Sequence, residues 1–249
     1  NDDGHRTASD LAAKGVKVAA IIDTRADAPD HGDAEVLAGA CVTDSRGRLG
    51  LSKIKVRSAD GSQRWITCGA LGVSGGWNPN VHLTCHQRGR PVWDDAIAAF
   101  VPGAGGRIGL SSAGAASGML STAAALTGGA AAAVNALSEI GVKAKAMVMP
   151  EAEDAPVSIT AFWHVTGKGR AWLDQQNDVT VKDVKLAYQE NFQSVEHLKR
   201  YTTLGMATDQ GKTSNIAGLA VMAEIAGKTI PEVGTTIYRP PYTPTSIGV

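Results

Sequence analysis

From residue 178 onward the apolar positions fall on a helical period. Val184, Ala187 and Tyr188 make one face, Leu198 and Tyr201 a second, and Ile216, Leu219, Ala220 and Ala223 a third. Each run has punctuation. Thr180 with Asp183 three positions on is close to a capping box, and Ser194 opens the second run with Glu196 near its positive end. Thr213, Ser214 or Asn215 opens the third, while Gly205 and Gly227 act as stops. The pattern predicts three short helices over 178–227 around a polar loop, Thr208–Ser214.

The first half has a different rhythm. Residues 5–14 carry Ala8, Leu11 and Ala12 on one helical face, with Gly15 as the stop. Val16–Ile22 is nearly all apolar, which suits a strand buried on both faces of a parallel sheet. It ends at Asp23. A helix and then a buried strand ending in an acid is the second half of a βαβ dinucleotide unit. In the complete motif Asp23 would take a ribose hydroxyl. Asn1-Asp2-Asp3-Gly4 stands where the glycine-rich turn belongs, so an acid that merely caps the next loop is the simpler reading.

Val36–Val42 reads as a strand, Asp44–Arg48 as a turn and 53–57 as an alternating strand with Ile54 and Val56 inward. Ala59–Ser62 is a hairpin turn, and 64–73 returns as a strand into Ser74-Gly75-Gly76-Trp77-Asn78-Pro79. Gly75 and Gly76 suit either cofactor contact or a plain turn between domains. Further on, 92–100 suits another element of the same domain, 107–110 a short buried strand, 120–137 a small-residue helix and 159–165 a strand. Gly114, Ala115, Ala116 and Gly118 precede that helix. They suit an anion site at its N-terminus or close helix–sheet packing.

Composition narrows the function classes. The 24 basic and 24 acidic residues cancel, so there is neither the basic footprint of a nucleic-acid binder nor a polybasic membrane surface. The longest apolar stretch, 112–137, is alanine and glycine broken by polar residues and does not suit a membrane span. Three scattered cysteines point to a reducing, cytoplasmic setting and lack metal-ligand spacing. His82 and His86 lie four apart, but Pro79 and Leu83-Thr84 do not read as helical and no zinc is expected. His164 among apolar neighbours reads as structural. Gly205–Thr213 imitates a phosphate-binding P-loop, yet has five residues between its glycines and a helix before it, so a tight turn is expected instead.

Several stretches carry a family resemblance. Trp172-Leu173-Asp174, Asn177–Thr180, Asp183–Tyr188, Ser194–Tyr201 and Gly205–Lys212, with Ser74–Trp77, resemble the alpha subunit of heterotetrameric sarcosine oxidase. The βαβ piece and meander resemble the two-dinucleotide-domain flavoprotein fold of the glutathione reductase type. The fold class implied is α/β, a partial fold of that type followed by a small all-α ferredoxin-type domain. The implied domains are 1–145 as a partial nucleotide-binding region (inserted domain 1–75, return 76–145), a connector 146–171, a helical domain 172–230 and a Pro-rich linker 231–249. Both ends read as cut, making the chain a fragment of a longer one.

The resemblance implies oxidative demethylation of sarcosine to glycine with hydrogen peroxide formed. It implies NAD on this subunit, with Asp23, Gly75, Gly76, Gly114, Ala115, Ala116 and Gly118 as candidate contacts. Where related flavoproteins carry a Gly-Asp pair this chain has Gly114-Ala115, which fits a nicotinamide dinucleotide in place of FAD. FAD and FMN belong to the complex, tetrahydrofolate to a domain beyond the linker, and beta, gamma and delta subunits are the implied partners. In related amine and amino-acid dehydrogenases four cysteines hold a 2Fe–2S cluster. Their positions here are Asp174, Gln176, Asp209 and Ser214, so no cluster is expected. No residue is assigned to catalysis or to a metal. The alternatives are an alpha-type subunit of another amine or imino-acid dehydrogenase, and a non-catalytic NAD-binding assembly scaffold.

Overall fold

The structure, a computed structural model, describes the whole chain except residues 33, 87–88, 104–108, 146, 153, 155–156, 158, 238–245 and 249. It is a mixed α/β protein in two compact units, Asn1–Gly76 with Thr160–Ala171, and Trp77–Ile159 with Trp172–Val249.

In the first unit α1 (Asp3–Ala13) leads to β1 (Ile21–Asp23), which pairs in parallel with β2 (Val36–Ala38). The long apolar run from Val16 therefore yields only three ladder residues. β1 has a single strand neighbour among the described residues, and Val16 lies half-exposed at 49%. The strand expected over 36–42 is broken at Gly39, whose φ of +64° turns the chain out of the parallel pair. It resumes as β3 (Cys41–Arg46), which runs through part of the stretch expected to turn. β4 (Lys53–Arg57) and β5 (Gln63–Thr67) complete an antiparallel meander. Its inner face buries Ala40, Ile54 and Val56 against Ile22, Leu37, Val42, Leu51, Ile66 and Cys68. The strand expected over 159–165 does not form. That segment has no regular secondary structure, Phe162 is exposed, and Thr166 offers its carbonyl to Arg57 Nη1 at 3.3 Å.

The second unit begins with a one-turn helix, α2 (His82–Cys85), at a stretch read as non-helical. A hairpin follows, β6 (Val92–Asp94) with β7 (Ala99–Val101). Of the strand expected over 107–110, residues 107 and 108 lie outside the described residues, and Leu110 is exposed without strand structure. A 3₁₀ turn at Gly114–Ser117 precedes α3 (Thr122–Glu139), none of whose residues is buried. A second hairpin, β8 (Trp172–Asp174) with β9 (Val179–Thr180), stands before the helices, so this part is not purely helical.

The three expected helices are present: α4 (Val181–Gln189), α5 (Val195–Thr202) and α6 (Asn215–Ala226), with a short α7 (Ile230–Val233) after them. Thr180 and Asp183 form the capping box, the Asp183 carboxylate accepting from Thr180 N–H and Oγ1–H at 2.7 Å each. Ser214 is the residue that opens α6. Leu198, Leu219, Met222, Val184 and Val221 are fully buried between these helices. A Cβ at Gly218 would stand 2.5 Å from Leu204 Cδ2, so the Leu204 side chain would have to shift to admit one. No helix among the described residues is long and apolar enough to cross a membrane.

Candidate functional site

In the first unit, the carboxyl end of β1 gathers the polar residues of α1. Asp23 is buried, with Oδ2 bonded to His5 Nε2 at 2.9 Å, which fixes the imidazole proton on Nε2. Arg25 turns back on the same carboxylate. Its backbone N–H donates to Oδ1 at 2.9 Å and its Nη2 to Oδ2 at 2.7 Å, while Nε spans both oxygens. Arg25 Nη2 also reaches Asp2 Oδ1 at 2.7 Å. Burial pushes the Asp23 carboxyl upward, but the Arg25 side chain and backbone N–H, with His5, more than reverse this and hold it well below the usual carboxylate range. Ser9 and His31 continue the cluster behind His5.

Gly75 and Gly76 belong to the same region, since the adjacent Ser74 bonds Asn1 Oδ1 at 2.8 Å and lies against Gly4. Nothing approaches the place where a Gly75 Cβ would stand. Thus the start of α1, the end of β1 and the 74–76 turn come together, the arrangement in which a parallel sheet receives a dinucleotide. The acceptor capacity of Asp23 is already taken up: a ribose hydroxyl would have to displace an arm of Arg25 or His5.

In the second unit, Gly114, Ala115, Ala116 and Gly118 form a separate 3₁₀ turn ahead of α3 and not its first turn. Gly118 has φ +86°, and a Cβ there would meet Val101 Cγ1 at 2.8 Å, so packing alone demands glycine. Ser121 caps α3, accepting from Ala124 N at 3.1 Å and donating to Asp154 Oδ1 at 2.5 Å. A carboxylate of the chain itself thereby stands at the helix N-terminus, where a ligand anion would otherwise be drawn.

A shallow, open cleft in this unit is lined by residues including Asn78, His82, Phe100, Asn215 and Thr236. Thr236 Oγ1 donates to Asn215 Oδ1 at 2.9 Å, and Asn215 Nδ2 donates to the Thr236 carbonyl at 3.2 Å. Burial, followed by the nearby His86 and Lys212, lowers the His82 pKa. The His82 and His86 rings are 6.2 Å apart and edge-on. Among the described residues no group of three or more His, Cys, Asp or Glu side chains could hold a metal ion.

The four positions compared with cluster cysteines converge on the loop between α5 and α6. Asp174 Oδ1 accepts from the backbone of Gln176 and Asn177 at 2.9 and 3.1 Å, and its Oδ2 from Gly205 N at 2.8 Å. Gln176 Oε1 accepts from Thr208 Oγ1 at 3.0 Å. Asp209 folds the loop on itself, accepting from Gly211 N at 3.2 Å and Thr213 Oγ1 at 2.9 Å. Ser214 is 1% exposed beneath them. Gly205 and Gly211, the glycines of the P-loop look-alike, have φ of +67° and +79° and cross, a Gly205 Cβ falling 3.0 Å from Gly211 Cα. Their spacing serves a backbone crossing. Gly205→Ala is therefore expected to lower stability by about 2 kcal/mol, summing a left-handed backbone and a forced separation. A thermal melt of the variant checks this, and an unchanged midpoint contradicts it.

With this geometry in place, similarity to known proteins can be set beside it. Residues 168–249 match the Sarcosine oxidase A3 domain family. The full chain is 42% identical to sarcosine oxidase subunit alpha of Rhizobium meliloti (strain 1021), 25% of whose length it covers. It is 37% identical over 98% of its length to the same subunit of Corynebacterium sp. (strain P-1), covering 27% of that protein. The counterpart from Corynebacterium sp. (strain U-96) is 38% identical over 99% of the chain, with 28% covered. The chain thus spans about a quarter of the length of the curated relatives it matches. The crystal structure of L-proline dehydrogenase from P. horikoshii superposes with a TM-score of 0.65 at 17% identity, over 97% of this chain and 47% of that one, which establishes a shared fold alone. The chain is thus similar along its whole length to a part of sarcosine oxidase alpha subunits.

Proposed function

We propose that the chain supplies the later nucleotide-binding part and the helical part of an alpha subunit supporting oxidative demethylation of sarcosine to glycine, with hydrogen peroxide as the second product. The observation that carries this reading is 37–42% identity to sarcosine oxidase alpha subunits along 98–100% of the chain. Residues 1–145 are read as the remainder of a two-dinucleotide-domain fold, and 172–230 as a ferredoxin-type domain whose cluster ligands are replaced by Asp174, Gln176, Asp209 and Ser214. The amine-oxidising flavin is assigned to another subunit, with FAD, FMN and folate sites outside residues 1–249 and beta, gamma and delta chains as partners.

A nicotinamide dinucleotide is assigned to the end of β1, because its acid, its open 75–76 turn and the start of α1 suit an adenosine ribose. When bound, such a cofactor supplies hydride chemistry. The residues toward it are Asp23, with Arg25 or His5 yielding one hydrogen bond, and the Gly75-Gly76 turn. Gly114, Ala115, Ala116 and Gly118, in the other unit, are separate candidate contacts. Oxygen uptake and peroxide release by the complete complex should be faster with sarcosine than with proline. Preference for proline would instead indicate another imino-acid oxidoreductase. Dinucleotide retention with turnover of neither would leave the assembly-scaffold role.

A further inference from the structure

The outer face of the β3–β4–β5 sheet carries a charge arrangement that the first unit does not use. Cross-strand register sets Arg46 opposite Lys53 and Thr67 in one row, and Asp44 opposite Lys55 and Trp65 in the next. Ile54 and Val56, pointing the other way, are buried, so these rows face outward. Lys53 Nζ stands 4.9 Å from the centre of the Trp65 ring, and Arg46 Cζ and Lys55 Nζ each 5.9 Å. Three cations converge on one indole that is itself 39% exposed.

Such a cluster is costly to hold together. Like charges placed directly opposite across a strand pair, as Arg46 and Lys53 are, destabilise it. Each exposed cation–π contact returns only about 0.5–1 kcal/mol. Asp44 is ion-paired with Arg46 at 3.3 Å. Among the described residues, no carboxylate lies within ion-pair distance of Lys53 or Lys55.

The charge selects the kind of partner. The whole chain is electrically neutral, so the basic face is local. A nucleic acid reads a broad basic field, which a neutral chain does not present. A short run of Asp or Glu on another polypeptide matches a patch this size. A half-exposed tryptophan ringed by cations is also the residue type that dominates protein interfaces.

We propose that the outer face of the β3–β4–β5 sheet, centred on Trp65 with Arg46, Lys53 and Lys55, docks an acidic segment of a partner polypeptide in the assembled complex. It is independent of which amine is oxidised.

Carbodiimide cross-linking of the native complex, which joins lysines to touching carboxylates without a spacer, tests it by mass spectrometry. Lys53 or Lys55 should be joined to an Asp or Glu of a different polypeptide, and high salt should abolish the link. In parallel, Lys53→Gln/Lys55→Gln and Trp65→Ala should each weaken retention of that polypeptide by about tenfold. All three side chains lie on the outer face of the sheet, away from the Ile54 and Val56 core, and circular dichroism checks that folding is intact. Links confined to carboxylates of the same subunit overturn the proposal. So does ready acetylation of both lysines in the intact complex, or their protection by a short RNA oligonucleotide in preference to the partner chain.

Discussion

Asp23→Ala is expected to lower the stability of the first unit by about 3 kcal/mol at neutral pH, because it leaves the part-buried Arg25 guanidinium without its main counter-charge and His5 without its partner. Arg25 and His5 would both lose the oxygen they now share. The effect carries a pH signature. A carboxyl held below its usual range stabilises the fold at any pH above the unfolded-state value, near 4. That contribution disappears as pH falls through the folded-state value. The gap between wild type and Asp23→Asn, which keeps the shape but not the charge, should therefore be widest at neutral pH and close in acid. Denaturant titrations across this range measure it, and a gap that does not vary with pH would show that the ionised carboxylate is not the stabilising species. In the complete complex, the same variants should also release dinucleotide if the assignment of the β1 end is right. A stability loss with full dinucleotide content separates the structural role of Asp23 from the proposed binding role.

The helices were the legible part of the sequence, for a local reason. Thr180, Asp183, Ser194 and Gly227 are cap residues, and a cap acts within one turn of the residue that signals it. The α4–α6 arrangement therefore needed no knowledge of what packs on it. Strands were read less well because their extent depends on neighbours. Val16–Ala20 is apolar enough for a strand, yet only residues from Ile21 on find a partner in β2. Neither small hairpin was legible as a hairpin, 92–100 reading only as one more element of its domain, although the two share a signal. Asp94 accepts from Ala96 N at 2.9 Å, as Asp174 does from Gln176 N, and four residues after each acid a non-glycine residue, Ala98 or Asp178, takes a left-handed backbone. An Asx turn of this form between short apolar pairs is readable in retrospect.

The candidate site divides along the same line. The position of Asp23 at a strand end was visible in the order of elements. Its partners were not, because His5 is 18 residues away along the chain and is brought there by packing of α1. The expected anion site before α3 relied on glycine and alanine alone. Those residues do not reveal that Gly118 is pinned by Val101, or that Asp154 reaches Ser121. None of the residues of α3 is fully buried, although they are largely apolar. Several of its residues are nonetheless partly buried, and Met119 from the preceding turn packs against Gly128.

Asp174 should be the most consequential polar residue of the second unit. It is 3% exposed, and its two oxygens satisfy three backbone N–H groups, two in the β8–β9 turn and one at Gly205. Removing it orphans three donors at once, the buried Gly205 N–H and two part-buried ones, and hydrogen bonds to a charged acceptor are the stronger kind. Asp174→Ala is expected to cost about 3–4 kcal/mol and to unfasten the 203–214 loop from the hairpin. Asp174→Asn retains one carbonyl oxygen, able to keep the paired Gln176 and Asn177 bonds, but turns its amide toward Gly205 N, donor against donor. It should lose roughly half as much, with the damage confined to the loop. Amide hydrogen exchange distinguishes the two. The alanine variant should expose Gln176, Asn177 and Gly205 together, and the asparagine variant Gly205 alone. Equal protection in both variants would mean that the crossing of Gly205 and Gly211, and not the carboxylate, fastens the loop. In that case the Gly205→Ala melt should show the larger loss.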